Sequence, residues 1–193
     1  GDLHGVAGAY FSTPNVVTTW GELDIRARAQ ADSTINSYAF FVDKQGSFFL
    51  GIPPGGNNRL VLRVYRGGGV LTDTNSDAST SFLGIRNWYR ATYNDATGDI
   101  KFYTADGNLE APAISDYVQL GATKNISAGA IDVYADSFLT GSYQGSALYP
   151  FDGDIYRAQV YNEIDGTTPV VDFTPGSYVS GSTLVSSTSG ETW

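Results

Sequence analysis

The sequence contains no cysteine, no methionine and a single histidine, and charged residues make up only 16% of its 193 positions. Without cysteine there can be no disulfide and no thiolate metal site. The one histidine, His4, lies close to the N-terminus and is a poor base for a serine triad, and neither Gly-x-Ser-x-Gly nor a P-loop occurs. No apolar run reaches the roughly 18 residues of a membrane span. We therefore expect no membrane insertion.

Positive charge is scarce in the second half of the chain. Residues 1–101 carry 9 basic and 9 acidic side chains, whereas residues 102–193 carry 2 basic and 11 acidic ones, so the net charge of −9 arises there. Because affinity for nucleic acid depends on lysine and arginine that neutralise phosphates, we expect no nucleic-acid partner. An acidic solvated surface or a cation site would each account for the excess.

Glycine and tyrosine are plentiful, and their pattern predicts strands and turns. Segments of alternating or β-branched and aromatic residues lie between Gly, Asn and Asp turns. The predicted strands are 22–30, 36–44, 47–52, 59–66, 88–95, 99–106, 116–121, 154–162, 168–174 and 182–188. They predict an all-β fold, an antiparallel β-sandwich, as one domain over residues 1–193. Each sheet is expected to turn one face to the core and one to water. The segment "RGGGVLTD" (66–73) is interpreted as a loop.

An ordered set of motifs resembles the laminin G-like, concanavalin A-like jelly-roll domains of tailed-phage virion proteins. The motifs are "WYRATYNDATGDIKFYTADG" (88–107) and "FDGDIYRAQVYNEIDGTTPVVDFTP" (151–175), with "AYFSTPN", "LDIRARA" and "STSGETW" in the expected order around them. The resemblance implies a concanavalin A-like jelly roll of two packed antiparallel sheets. It also implies a place on the virion surface, in a fibre, spike or head appendage, and hence outside the cell. It implies no activity, because this fold serves lectins, glucanases and packing modules alike.

The segment "WGELDIRAR" (20–28) resembles the Glu-x-Asp-x-Glu strand of a β-glucanase family. In that pattern the first Glu is the nucleophile, the Asp assists, and the last Glu is the acid/base. Glu22 and Asp24 match, but Arg26 occupies the third position. A guanidinium, whose pKa lies above about 12, cannot donate the proton that glycoside hydrolysis needs. We therefore expect no catalytic residue and no enzyme, but an amphipathic strand with a charged row that Arg28 completes.

Tyrosines in a loop near carboxylates predict a carbohydrate contact. Tyr143 and Tyr149 lie in "GSYQGSALYP" (141–150), which runs into Asp152. An exposed aromatic ring can stack on a sugar, with nearby polar groups completing the site. The alternative is that these tyrosines pack on the ends of their own strands.

Calcium is the candidate cofactor. Asp152 and Asp154 flank a flexible glycine in "FDGD", and Ca²⁺ takes carboxylate oxygens from such segments. The same residues also suit ordinary turn chemistry.

The predicted function is a non-catalytic phage adhesion domain that binds host-surface carbohydrate. The alternative is a structural module that decorates or oligomerises a virion appendage. Its partners would be host glycan, other virion proteins, or further copies of a longer parent protein of which this chain is a piece.

Overall fold

The computed structural model describes residues 3–4, 11–13, 20–32, 38–55, 58–134, 138–140, 151–177, 186, 188–189 and 192–193. Short 3-10 turns lie at Ile114–Asp116 and Pro175–Ser177. Within these ranges no helix has the length and apolarity needed to cross a membrane. The strands, in chain order, are β1 (Leu3–His4), β2 (Phe11–Thr13), β3 (Leu23–Ala31), β4 (Ala39–Lys44), β5 (Phe48–Ile52), β6 (Val61–Arg66), β7 (Val70–Asn75), β8 (Asn87–Tyr93), β9 (Asp99–Asp106), β10 (Val118–Gln119), β11 (Lys124–Asn125), β12 (Phe138–Thr140), β13 (Gly153–Tyr161) and β14 (Val171–Phe173).

The strands form two antiparallel sheets. Sheet A has the order β1-β13-β3-β8-β9-β10, with β14 also paired to β13 and β11 also paired to β9. Sheet B has the order β2-β12-β4-β5-β6-β7. The core lies between them, where alternate residues of β3 such as Ile25 and Ala27 meet Phe41, Leu50 and Leu62 from sheet B. The predicted antiparallel β-sandwich is confirmed.

Most predicted strands lie within a few residues of the observed ones, and β9 has the predicted bounds. The predicted strand 182–188 lies mostly outside the described residues. The interpretation of residues 66–73 as a loop is wrong, because residues 70–75 form β7 and pair with β6. Three successive glycines, Gly67, Gly68 and Gly69, have φ of 58°, 84° and 104° and make the tight turn of this hairpin. The glycines end one strand and begin the next.

The expectation that the second face of each sheet meets water is wrong for the centre of sheet A. The face away from the core, here called the outer face, carries buried charged and aromatic side chains: Asp24, Arg26, Arg28, Trp88 and Arg90. Residues 107–117 and 162–169 cover it. The Trp88 indole N–H, for example, donates to the carbonyl oxygen of Leu109 at 2.8 Å.

Candidate functional site

Four adjacent strands bring polar side chains into register on the outer face. Because side chains alternate along a strand, cross-strand partners lie side by side on one face. One row runs from β13 to β9 as Gln159, Arg26, Arg90 and Tyr103. The next row is Tyr161, Asp24, Thr92 and Lys101.

Asp24 is the centre of a buried ionic cluster and has 0% relative exposure. Its two carboxylate oxygens accept hydrogen bonds from Arg90 Nε and Nη2, both at 2.8 Å. Arg26 donates to the same oxygens at 2.7 and 3.3 Å. Burial by itself would lower the pKa of Arg90, but the hydrogen bonds to Asp24 and Asp165 outweigh it and raise that pKa. The carboxylate therefore holds both guanidinium groups in place.

The charged row of β3 also holds the segment 162–166 over the sheet. The backbone N–H groups of Ile164 and Asp165 donate to Glu22 at 3.1 Å and to Asp24 at 3.2 Å. Arg26 donates to the carbonyl oxygen of the following glycine at 3.1 Å, and the Asp165 carboxylate accepts from Arg90. Asp165 has φ of 62°, a left-handed conformation that Asp tolerates better than most residues. The row that resembles a glucanase strand thus anchors a loop.

Hydrogen-bond donors hold both carboxylates at the glucanase-like positions, and the third position carries Arg26. The Glu22 carboxylate accepts from Asn94 Nδ2 at 2.6 Å in addition to the Ile164 N–H, and Asp24 is enclosed by arginines. Arg26 stands at the position where the pattern needs an acid, and its guanidinium donates hydrogen bonds to Asp24. The arrangement can fix charges and present N–H groups, and it has an arginine at the position where the glucanase pattern has its acid/base.

Beside the cluster lies a pocket of about 370 Å³, here called the Tyr161 pocket. Its floor consists of outer-face residues of β3 and β13: Arg26, Arg157, Gln159 and Tyr161. Its walls are residues 111–114 with Tyr117 on one side and residues 165–167 with Pro169 on the other. The volume lies in the range of small-ligand sites, and an aromatic and apolar lining with a few polar groups is typical of them.

Several polar groups of this pocket have no partner among the described residues. Gln159 is only 7% exposed and its amide makes no hydrogen bond, and the buried hydroxyl of Tyr117 also has none. Arg157 donates hydrogen bonds from Nε and Nη2 to the Asp172 carboxylate, at 2.9 and 2.7 Å, and its Nη1 has no partner among the described residues. A buried polar group without a partner costs about 1–3 kcal/mol, so these groups are ready to bind water or a ligand.

The two tyrosines of the pocket remain protonated at neutral pH. Burial raises the pKa of Tyr117, although nearby Arg26 acts in the opposite direction. Burial likewise raises the pKa of Tyr161, whose ring lies 4.0 Å below the Arg26 guanidinium carbon. Both phenols can therefore donate a hydrogen bond, and Arg26 stacks on one ring as a cation–π pair.

A second pocket of about 400 Å³, here called the Asp99 pocket, lies on the other side of Asp165. Its lining is mostly polar: Glu22, Thr92, Asn94, Thr97, Asp99, Lys101, Tyr103, Ile164 and Asp165. Many of these side chains bond one another or nearby loops; Asn125, for instance, donates to Asp99 at 2.7 Å. Asp165 thus forms the ridge between two pockets.

The residues predicted for a site from sequence are not those of the Tyr161 pocket. Tyr143 and Tyr149 lie outside the described residues. Asp152 is exposed and its carbonyl oxygen accepts from the backbone N–H of Asp32 at 3.0 Å, whereas the Asp154 carboxylate accepts from Tyr156 at 3.2 Å. Neither aspartate lines the pocket.

No group of three or more His, Asp or Glu residues suited to a metal ion occurs in the described part of the chain. The two predicted ligands do lie close together in sequence at the start of β13, but the described residues supply no third acidic or histidine ligand. Calcium binding at Asp152 and Asp154 stays a prediction.

Sequence reasoning missed the floor of the Tyr161 pocket. Positions 157, 159 and 161 carry polar or aromatic residues on one face of a predicted strand, and this alternation was the available signal. It could not tell which outer-face side chains the loops would cover and which they would leave at a pocket.

No family model and no curated protein sequence matches the chain. Solved structures do match in fold. A candidate carbohydrate-binding protein from Bacteroides ovatus has a TM-score of 0.70 with 13% identity over 99% of this chain. The chain spans 56% of that protein's length.

Two further structures share the architecture. The CBM40 domain of a Ruminococcus gnavus IT-sialidase, bound to α2,3 sialyllactose, has a TM-score of 0.57 with 16% identity, covering 84% of this chain and 91% of that one. The enzymatically active domain of tailspike protein 2 from bacteriophage CBA120 has a TM-score of 0.56 with 11% identity, covering 82% of this chain and 25% of that one. At such identities the likeness establishes the fold, and the predicted lectin-like jelly roll is confirmed. The laminin G-like resemblance in particular stays a prediction.

Proposed function

We propose that the protein is a non-catalytic carbohydrate-binding domain whose ligand occupies the Tyr161 pocket. The observation that carries the proposal is the polar lining of a pocket that also contains two tyrosines: the Tyr117 hydroxyl is buried without a partner, and the Gln159 amide has no hydrogen bond to a described residue. A sugar offers hydroxyls to such groups and apolar C–H faces to the rings. The fold is also that of sugar-binding structures such as the CBM40 domain.

We further propose that the domain belongs to a phage virion appendage and attaches to glycan on the host surface. The support is the motif set in residues 88–107 and 151–175, together with the fold shared with a phage tailspike domain. That tailspike domain is enzymatically active by its description, but the pairing of Glu22 and Asp24 with amide and guanidinium donors favours binding over hydrolysis here.

A second candidate is a structural module that packs against other virion proteins. It is favoured by apolar side chains on β7 and the nearby 127–133 segment: Val70 is 58% exposed, Leu71 46% and Val133 39%. Val70 and Val133 line one pocket, whereas Leu71 points to the opposite face of β7; exposed apolar side chains that lie together, as this pair does, are typical of protein contacts.

A glycan array probed with the intact chain tests the first proposal, with Gln159→Ala as the pocket variant. Losing the amide is expected to weaken binding about 3- to 10-fold, as for a neutral hydrogen bond. Gln119→Ala is the matched control, because Gln119 is exposed on β10 and lies outside the pocket. Binding that Gln159→Ala leaves unchanged would reject this pocket, and silence on all bacterial polysaccharides would favour the structural module. Turnover of a β-glucan that Glu22→Gln abolishes would reject the non-catalytic assignment.

A further inference from the structure

We propose that the Tyr161 pocket selects acidic sugars and that Arg157 and Arg26 receive the sugar carboxylate; this rests on the proposed carbohydrate-binding function. The pocket lining carries two arginines and one aspartate, Asp165, in a chain whose net charge is −9. Every one of these charges has a counter-ion nearby, but the groups that face the pocket include two guanidiniums and only one carboxylate, and this is the first reason to expect an anionic ligand.

The second reason is that the arginines reach the pocket while their counter-ions do not. Asp172 and Asp24 are 2% and 0% exposed and do not line the pocket, whereas their partners Arg157 and Arg26 do. Each guanidinium gives Nε and Nη2 to its aspartate and keeps Nη1 without a partner among the described residues. Planar N–H donors of this kind suit a carboxylate.

Asp165 does not cancel this preference. The Asp165 carboxylate accepts a hydrogen bond from Arg90, whose guanidinium lies outside the pocket. Arg90 therefore balances the negative charge of Asp165 without itself lining the pocket. Asp165 also faces the Asp99 pocket, which places it at the margin of the Tyr161 pocket.

The third reason is the balance of donors and acceptors. The unused groups are the two Nη1 atoms and the Gln159 amide at the floor and the buried Tyr117 hydroxyl in the wall, and of these only the amide oxygen and the phenol can accept. A neutral sugar needs donors and acceptors in similar number for its hydroxyls. A carboxylate is acceptor-only, and it satisfies a set that is mostly donors.

The test compares acidic glycans with their neutral counterparts on the intact chain. The probes are oligogalacturonate, hyaluronan oligosaccharide and sialyllactose, each beside its carboxyl-reduced form or, for the last, lactose. The acidic member of at least one pair is expected to bind about 10- to 100-fold more tightly, which is the ratio that a charge-assisted hydrogen bond supports. Added salt is expected to weaken that preference.

The variant is Arg157→Gln combined with Asp172→Asn, so that the buried Asp172 carboxylate is not left without the Arg157 guanidinium. It is expected to remove the preference for the acidic member of the pair, because the guanidinium that receives the carboxylate is gone. The matched control is Arg63→Gln with Asp73→Asn, a pair with the same two-bond geometry on sheet B. If the double variant does not fold, Arg26→Lys serves instead, because the ammonium cannot bond Asp24 and a sugar carboxylate in the same planar way.

Each outcome is decisive. Preference for the acidic member, lost in the pocket variant and kept in the control, supports the inference. Equal affinity within every pair overturns the inference and leaves the carbohydrate-binding proposal standing. Binding to none of the probes, and to none of the arrayed glycans, overturns both.

Discussion

Replacing Asp24 by Asn is expected to destabilise the protein more than any surface charge change. The substitution leaves Arg90, 1% exposed, and Arg26, 7% exposed, facing an amide that can accept at only one of its two atoms. Removing one partner of a buried ion pair costs about 3–5 kcal/mol, because the remaining charge stays out of water. Asp165 still pairs with Arg90 and keeps the loss from being larger. For a chain of this size the cost corresponds to a fall in Tm of about 6–20 °C.

Urea unfolding followed by tryptophan fluorescence measures this loss, with Asp73→Asn as the control. Asp73 forms the same two-bond contact with Arg63, but its side chain is 26% exposed and that of Arg63 14%. A pair so placed is worth about 0–1 kcal/mol. If Asp24→Asn lowers the free energy of unfolding no more than Asp73→Asn does, the cluster is not the anchor of the outer face and the reasoning is refuted.

Three further outcomes follow from the structure. Burial raises the pKa of Tyr117 above its ordinary 10.0, so its contribution to stability is complete below that pH and falls as the pH rises toward the folded pKa; a free energy of unfolding that stays constant through alkaline titration contradicts this. Gly98→Ala is expected to cost at least about 2 kcal/mol more than Gly68→Ala, because both have positive φ but only at Gly98 would a Cβ lie 1.8 Å from a carbonyl oxygen; equal losses on urea unfolding contradict it. If Asp152 and Asp154 bind calcium, Ca²⁺ at about 100 times its Kd raises the free energy of unfolding by about 2.7 kcal/mol, and the double Asn variant loses this increase; no effect of Ca²⁺ or EDTA on the native protein rejects the site.

The fold could be predicted from sequence because its signals are local. Alternation in residues 23–31 and the Gly turn before β9 are each readable within a few positions. The environment of the outer face could not be predicted in the same way. Asp24 is adjacent to Tyr161 only through pairing of β3 with β13, and the segments that cover it lie about 80 and 140 positions further along the chain. Strand patterns show which face a side chain shares but not what lies above it.

Two expectations about single segments were wrong because the residues of a segment do not show what it pairs with or what covers it. The three glycines after Arg66 predict a loop, whereas they form the turn between β6 and β7. Polar residues on β3 were expected in water, whereas segments remote in sequence cover them. In both places the sequence shows the type of residue, a glycine turn or a charged row, but not the strand that pairs with it or the segment that covers it.

The position of β3 between β8 and β13 has a consequence for how the chain reaches its folded state. β8 pairs with β3 after about 60 intervening residues, but β13, residues 153–161, comes more than 120 positions after β3. During synthesis β3 therefore remains a sheet edge until most of the polypeptide has emerged. Closing so long a loop is slow, and an open edge can pair with another chain meanwhile. Asp24, Arg26 and Arg28 stay hydrated on that unfinished edge, and a charged edge resists aggregation until β13 arrives.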